Sequence, residues 1–173
     1  MSKVITFSRY FPAYHPRKGE PTYFVEQIYN GFYSKNNLMD YPNGLDVNDF
    51  VKGIKHHTIR AGNRWKVGDK FSPRVWSGKP YNSKQIIIAP DIEIKKVWNF
   101  EIQIDPFLPM EDCAYVLKIN DKYENEETTF STIKELAKND GLTPEDFINW
   151  FIHSPKVEVF SGQIICWNEN IIY

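Results

Sequence analysis

The 173-residue chain has two cysteines, Cys113 and Cys166, too few and too far apart for a cysteine-only zinc site, and one pair does not make a disulfide framework. Both are expected to be reduced thiols in the core. Excess charge is also lacking. The 21 Lys and Arg against 22 Asp and Glu leave a net charge of −1, which excludes the strongly basic footprint of a high-affinity, non-specific nucleic-acid binder. Any contact with a polyanion has to come from a local patch. No window approaches the ~18 consecutive apolar residues of a membrane span, and the N-terminus MSKVITFSRY carries no apolar leader, so a cytoplasmic protein without membrane contact is expected. Neither an internal repeat nor a low-complexity tract is visible. The length requires no second core, so residues 1–173 are expected to form a single domain.

What the chain does have is aromatic residues, 16% of the total with five Trp, ten Tyr and twelve Phe, inside an ordinary globular balance of 42% hydrophobic and 25% charged residues. That suits a β-rich core with some flat rings left over for stacking. Val4 to Arg9 alternates apolar and polar as a half-buried strand does, and a proline-broken loop follows. From Pro21 to Tyr33 the residues Phe24, Ile28 and Phe32 recur every four positions, which predicts a helix with proline in its first turn. The stretch Lys35 to Asn43 is polar and turn-rich, with a short helical turn expected over Val47 to Val51. Between Thr58 and Ile104, β-branched and aromatic residues alternate with turn signals at Val67-Gly68-Asp69, Ser77-Gly78-Lys79-Pro80 and Ala89-Pro90-Asp91, so several short strands in a small barrel are expected. Cys113 to Ile119 and Val157 to Trp167 predict two more strands, the last one closing the sheet.

Between those strands lies a helix pair. Thr132-Ile133-Lys134-Glu135 reads as a capping box that opens a short first helix, and Asn139-Asp140-Gly141 reads as its stop. Thr143-Pro144-Glu145-Asp146 opens the second, with Phe147, Trp150 and Phe151 on one face, expected to be core. Glu124 to Glu127 reads as a solvated acidic loop.

The segment Gly53-Ile54-Lys55-His56-His57-Thr58-Ile59-Arg60 fits the pattern G-x-K-x-x-T-x-R. If Thr58 to Arg60 is a strand, Thr58 and Arg60 share one face while His57 and Ile59 take the other. Lys55 follows a glycine and has a stem long enough to curl back toward that face. A hydroxyl, an amine and a guanidinium would then converge. Adjacent histidines on opposite faces make a poor metal pair, and His15 and His153 are distant, so no metal and no cofactor are expected. The densest basic stretch, Arg60, Arg64, Lys66, Lys70, Arg74 and Lys79, alternates across a sheet and reads equally as a solvated face or a phosphate groove. Trp65, Trp76 and Trp98 are candidate stacking platforms. Arg9, Tyr10, His15, Arg17 and Lys18 lie in the proline-broken loop, which reads as a cover for a cleft or as plain surface.

The G-x-K-x-x-T-x-R segment resembles the signature of the ASCH family, which is similar to PUA barrels. The likeness continues through Trp65-Lys66-Val67-Gly68-Asp69 and from Asn139-Asp140-Gly141-Leu142-Thr143 to Trp150-Phe151, and covers roughly residues 50–170 on an ordinary domain scale. Residues 1–45 then form an N-terminal strand-helix elaboration. The implied fold is α+β, a small PUA-like β-barrel flanked by helices. The resemblance implies a cleft for a nucleoside or RNA ligand, and some members act as amidohydrolases on N4-acylated cytidine. Carried over, the catalytic set is Lys55, Thr58 and Asp140, and the ligand-binding set is Arg60, His57, Trp76 and Lys66. In such a reaction Thr58 attacks the acyl carbonyl, Lys55 takes its proton, and Asp140 orients Lys55. The family enzyme has glutamate where this chain has Asp140, one methylene shorter. Asp140 is read equally as a helix-end residue. A non-catalytic RNA-binding module and, as a minor alternative, a metal-dependent ribonuclease are the other readings.

Overall fold

A computed structural model describes residues 3–33, 53–104, 115–152 and 159–173. The expected turn at 47–51, the polar stretch 35–43, His153 and Cys113 lie outside the described residues. The described residues form an α+β fold in which β-branched and aromatic runs become strands and the four-residue periodicities become helices. In chain order these are β1 (Lys3–Thr6), α1 (Phe24–Tyr33), β2 (His57–Ala61), β3 (Lys70–Trp76), β4 (Gln85–Ile87), β5 (Ile92–Glu93), β6 (Lys96–Ile104), β7 (Tyr115–Ile119), β8 (Lys122–Tyr123), α2 (Glu126–Asp140), α3 (Pro144–Phe151) and β9 (Val159–Cys166).

Two sheets result. One has four strands, with β3 pairing β1 in parallel and β4 and β5 antiparallel; the other has five in the order β2-β9-β6-β7-β8. Among the described residues neither sheet closes on itself, so the expected small barrel is not formed by them. The physical reason is that the outer edges of the five-stranded sheet, β2 and the two-residue β8, stand three strands apart. Side chains join the sheets instead: the Arg60 guanidinium on β2 donates to the Thr6 carbonyl at the end of β1, 3.0 Å away. Strand β9 does not close a sheet edge as expected. It sits inside the sheet between β2 and β6, because its run Gln163–Cys166, apolar from Ile164 on, is buried on both faces.

Alternation along β9 divides the core. Ile164 and Cys166 face a cluster with Phe100, Leu117, Leu136 and Phe147, while Ile165 faces one with Ile5, Phe24, Ile28, Trp65 and Phe71. Leu142 and Trp150 pack against both. Strand β1 and helix α1 thus supply core to the same cluster as β3. Cys166 is a free, buried thiol, as expected, and burial pushes it up to about 11.

Three element ends differ from the sequence reading. Helix α1 starts at Phe24 rather than Pro21, because Tyr23 adopts a left-handed conformation (φ 59) that interrupts the helix and Pro21 bridges Tyr10. Helix α2 starts at Glu126: Asn125 caps it by accepting from the Thr128 N–H at 2.8 Å, while the Thr132 hydroxyl bonds the Glu124 carboxylate at 3.2 Å instead of a backbone N–H. Glu126 and Glu127 therefore lie in a helical first turn and not in a loop. The stop at Gly141 (φ 78) and the Thr143 cap of α3 are as expected.

Strands β2 and β9 approach so closely that a Cβ on Gly162 would lie 2.3 Å from the Arg60 carbonyl oxygen and 3.1 Å from the Ala61 Cα. Backbone atoms cannot rotate away. Gly162→Ala is expected to lower stability by about 2–3 kcal/mol, read as a fall in the urea midpoint; an unchanged midpoint would mean that the strands are further apart.

Candidate functional site

The segment from Gly53 to His56 runs extended into β2 and is pinned from three sides. The Lys55 N–H donates to the Gln27 carbonyl of α1 (3.2 Å), the His56 N–H to the Asn139 carbonyl of α2 (2.8 Å), and the His56 carbonyl accepts from the Trp167 N–H (3.1 Å). These bonds aim the Lys55 side chain inward. Its ammonium donates to Oδ1 of Asp140 at 2.5 Å and to the Asp140 backbone carbonyl, and stands 4.0 Å from the centre of the Phe24 ring. Lys55 is 1% exposed and Asp140 4%. The lysine thereby caps the negative end of α2, a placement the helix dipole favours.

Burial lowers the Lys55 amine to about 8, with the Asp140 charge opposing that shift and the Arg60 charge adding to it. Burial also raises the Asp140 carboxyl, against the pull of Lys55 and Arg60. The pair is therefore less strongly ionised than a surface pair, though at pH 7 an amine of that pKa is still mostly ammonium.

His57, expected to bind ligand, is fully buried behind this pair. The Asn139 side chain donates to the Tyr173 hydroxyl (2.8 Å), and that hydroxyl bonds Nδ1 of His57 (2.9 Å). Nε2 has no hydrogen-bond partner and lies 3.9 Å from Oδ1 of Asp140. Burial and the nearby Lys55 charge hold the ring well below the usual histidine range, so it is neutral.

The expected alternation of β2 holds: Ile59 packs with Ile164 in one cluster, while Thr58 and Arg60 take the opposite face, paired with Ile165 and Gln163. Thr58 is buried and shares no hydrogen bond with Lys55, whose ammonium is taken by Asp140. Arg60 donates to the Ile59 and Thr6 carbonyls and interacts with Asp140 through charge. The structure thus brings together Lys55, Asp140, His57 and Arg60. It leaves out Lys66, exposed in the turn before β3, and Trp76, at the far end of β3 against Tyr81.

A cavity of about 630 Å³ opens beside the pair. Gly53, Ile54 and His56 form one wall, Asn139, Gly141, Leu142 and Thr143 a second, and the N-terminal loop with α1 the third, through Phe11, Arg17, Thr22, Tyr23 and Gln27. Lys55 and Asp140 do not line it; they lie behind the wall and tie its first two sides together. The loop is fastened by a second cluster, in which Arg17 pairs with Asp146 at 2.6 Å, His15 bonds the Asp146 carbonyl at 3.2 Å, and Phe11 stacks near His15. So Arg17 lines the cavity, while buried His15 holds the loop from behind.

Sequence reasoning missed Gln27, Asn139 and Tyr173 as parts of the site. Gln27 had a signal only in being polar on the buried side of a periodic helix: it is 4% exposed and donates to the Gly141 carbonyl at 3.1 Å. A Cβ on Gly141 would meet its Oε1 at 1.6 Å and displace the Gln27 amide, and the positive φ (78) itself favours glycine there. Tyr173 gave none. Among the described residues no three His, Cys, Asp or Glu side chains converge to hold a metal ion, and no helix is long and apolar enough to cross a membrane. No family model matches the chain, and neither a curated protein nor a solved structure is found similar to it. The ASCH resemblance therefore stands on the quoted residues alone.

The buried amine makes stability depend on pH. Between about 8 and the 10.5 of an ordinary lysine, the unfolded chain holds a proton that the folded chain has released. Unfolding free energy from this group therefore rises with pH across that window. Lys55→Met is expected to abolish the rise, so urea midpoints of variant and wild type should diverge from pH 8 to pH 10.5; parallel curves would show an unshifted amine.

Proposed function

We propose that this chain is an ASCH-type, PUA-like module that binds a nucleoside-scale ligand in the cavity beside the Lys55–Asp140 pair. One observation carries the reading. Two of the segments that resemble the family, 53–60 and 139–143, meet to form two walls of the same cavity. Its volume falls within the range of small-ligand sites, and its surface mixes rings and aliphatic groups with a few polar ones. Asn168 donates to Nδ1 of His56 (3.1 Å), which places the remaining ring proton on Nε2 as a donor for a ligand. Burial and the Lys138 charge lower the His56 pKa, so it donates as a neutral ring, while exposed Lys138 adds a cation at the mouth.

Titration calorimetry against nucleosides and their 5′-monophosphates tests this. His56→Ala is expected to weaken both by about three- to tenfold, the loss of one hydrogen bond. Lys138→Glu should weaken the monophosphates selectively. Absence of binding at millimolar concentrations, or wild-type affinity in both variants, sinks the reading.

The second reading is an amidohydrolase on N4-acylated cytidine, and the amine held at about 8 favours it, because a depressed lysine can accept a proton near neutral pH. In that role Asp140 would orient the amine toward Thr58. Purified protein is then expected to release acetate from N4-acetylcytidine, with loss of at least about a hundredfold in Lys55→Met and Thr58→Ala. Full activity in Thr58→Ala rules out the hydroxyl as nucleophile.

A further inference from the structure

The hairpin of β3 and β4 stands apart from the cavity, and its chemistry differs from the rest of the surface. From Lys70 to Pro90 the sequence contains four basic residues, Lys70, Arg74, Lys79 and Lys84, and no acidic one. Elsewhere five cations are paired with carboxylates, Lys3 with Asp69, Arg17 with Glu20 and Asp146, Lys55 with Asp140, Lys95 with Glu93 and Lys118 with Glu101, while others such as Arg64 and Lys138 stand in no ion pair among the described residues. Among the described residues, Arg74, Lys79, Lys84 and the neighbouring Arg9 are in no ion pair, and Arg9 reaches the hairpin by donating to the Ser77 carbonyl at 3.3 Å.

Aromatic surface lies among these charges. Tyr81 is 88% exposed in a left-handed conformation (φ 66) that turns its ring toward Trp76, with centroids 5.4 Å apart. Trp76 is half-buried and shares a strand face with Arg74. On β4, Ile87 is 61% exposed opposite Arg74, and Gln85 lies opposite Trp76. Uncompensated cations flanking accessible rings complement a strand of phosphates with unstacked bases, since the rings stack on any base and the cations meet the backbone. An acidic protein partner would use the cations and leave the ring pair without a role.

We propose that the β3–β4 hairpin is a binding surface for single-stranded nucleic acid, with Trp76 and Tyr81 stacking on bases and Arg9, Arg74, Lys79 and Lys84 contacting phosphates. It does not depend on the cavity holding a nucleoside. The chain's net charge of −1 confines the attraction to this patch, so affinity is modest and steeply salt-dependent.

Fluorescence anisotropy with a labelled ten-nucleotide single strand and with the same sequence as a duplex tests the surface on the full chain. The single strand should bind and the duplex much less. Tyr81→Ala and Trp76→Ala should each weaken the single strand about tenfold, and Trp76→Phe should restore most of the loss. The double variant Lys79→Ala/Lys84→Ala should flatten the slope of log affinity against log salt by about 1.4. Nucleoside binding measured by calorimetry should be unchanged in all of them, which separates failure of the hairpin from failure of the cavity. Because Tyr81 is almost wholly exposed, its variant reports even if Trp76→Ala fails to fold. Equal binding of duplex, of heparin and of single strand, or wild-type affinity in Tyr81→Ala with an unchanged melting temperature, would overturn the proposal.

Discussion

Lys55 places an ammonium group at the C-terminal end of α2, where the Asp140 carboxylate and the Asp140 carbonyl both receive it. Burying two charges is favourable only when geometry and further bonds offset their desolvation. Here the offset comes from several elements at once: backbone bonds from 55 and 56 to α1 and α2, the Arg60 charge from β2, and the Phe24 ring from α1. Removing either partner would strand a charge in the interior, which costs about 3–5 kcal/mol. The pair therefore fixes the register between the extended segment, the helix end and the turn into α3, and with it the two cavity walls that they form.

The neighbouring polar groups are arranged around the same constraint. Asn139, one residue before Asp140, holds His56 through its carbonyl and Tyr173 through its side chain, and Tyr173 in turn bonds Nδ1 of His57. A neutral imidazole beside the carboxylate avoids adding another buried charge there. Gly141 then reverses the chain where Gln27 packs directly on its Cα. Three consecutive residues, 139 to 141, thus serve the pair, the relay and the turn.

Much of this was legible in the sequence, and what was legible had local physical causes. The stop at Gly141 and the Thr143-Pro144 start follow from cap chemistry and left-handed φ, which depend on adjacent residues. The Phe24 and Ile28 period and the faces of β2 follow from helix and strand repeats. The resemblance pairs Lys55 with Asp140 as catalytic residues; in the structure their side chains touch, and that contact does not test the catalytic reading. What failed was non-local. Thr132 offers a capping box, but Asn125 is better placed after β8 and uses the helix first. Whether β9 lies at an edge or inside a sheet depends on β6 and on β2, which is about a hundred residues away in the chain. The ligand expectations for Trp76 and Lys66 failed to join the site because composition shows that a chain has rings and cations, not which surface they share. Gln27 and Tyr173 carry no motif, and only the tertiary fold brings them to 141 and 57.

The shorter acidic side chain at 140 changes the geometry in a particular direction. A glutamate there could swing its carboxylate away from the helix end, whereas aspartate keeps Oδ1 beside its own backbone carbonyl, so both oxygens hold one ammonium at the same place. The contact is not lost, because the His56–Asn139 backbone bond draws the lysine segment up to the helix. Instead the amine is held in the wall, with Thr58 outside its hydrogen bonds. A base must reach the proton it takes, and geometry precedes pKa in that test. In this arrangement the depressed amine meets the pKa condition and not yet the geometric one. For that reason the pair acts as the frame of the cavity walls, and catalysis would require the Lys55 ammonium to leave the Asp140 carbonyl and turn toward Thr58.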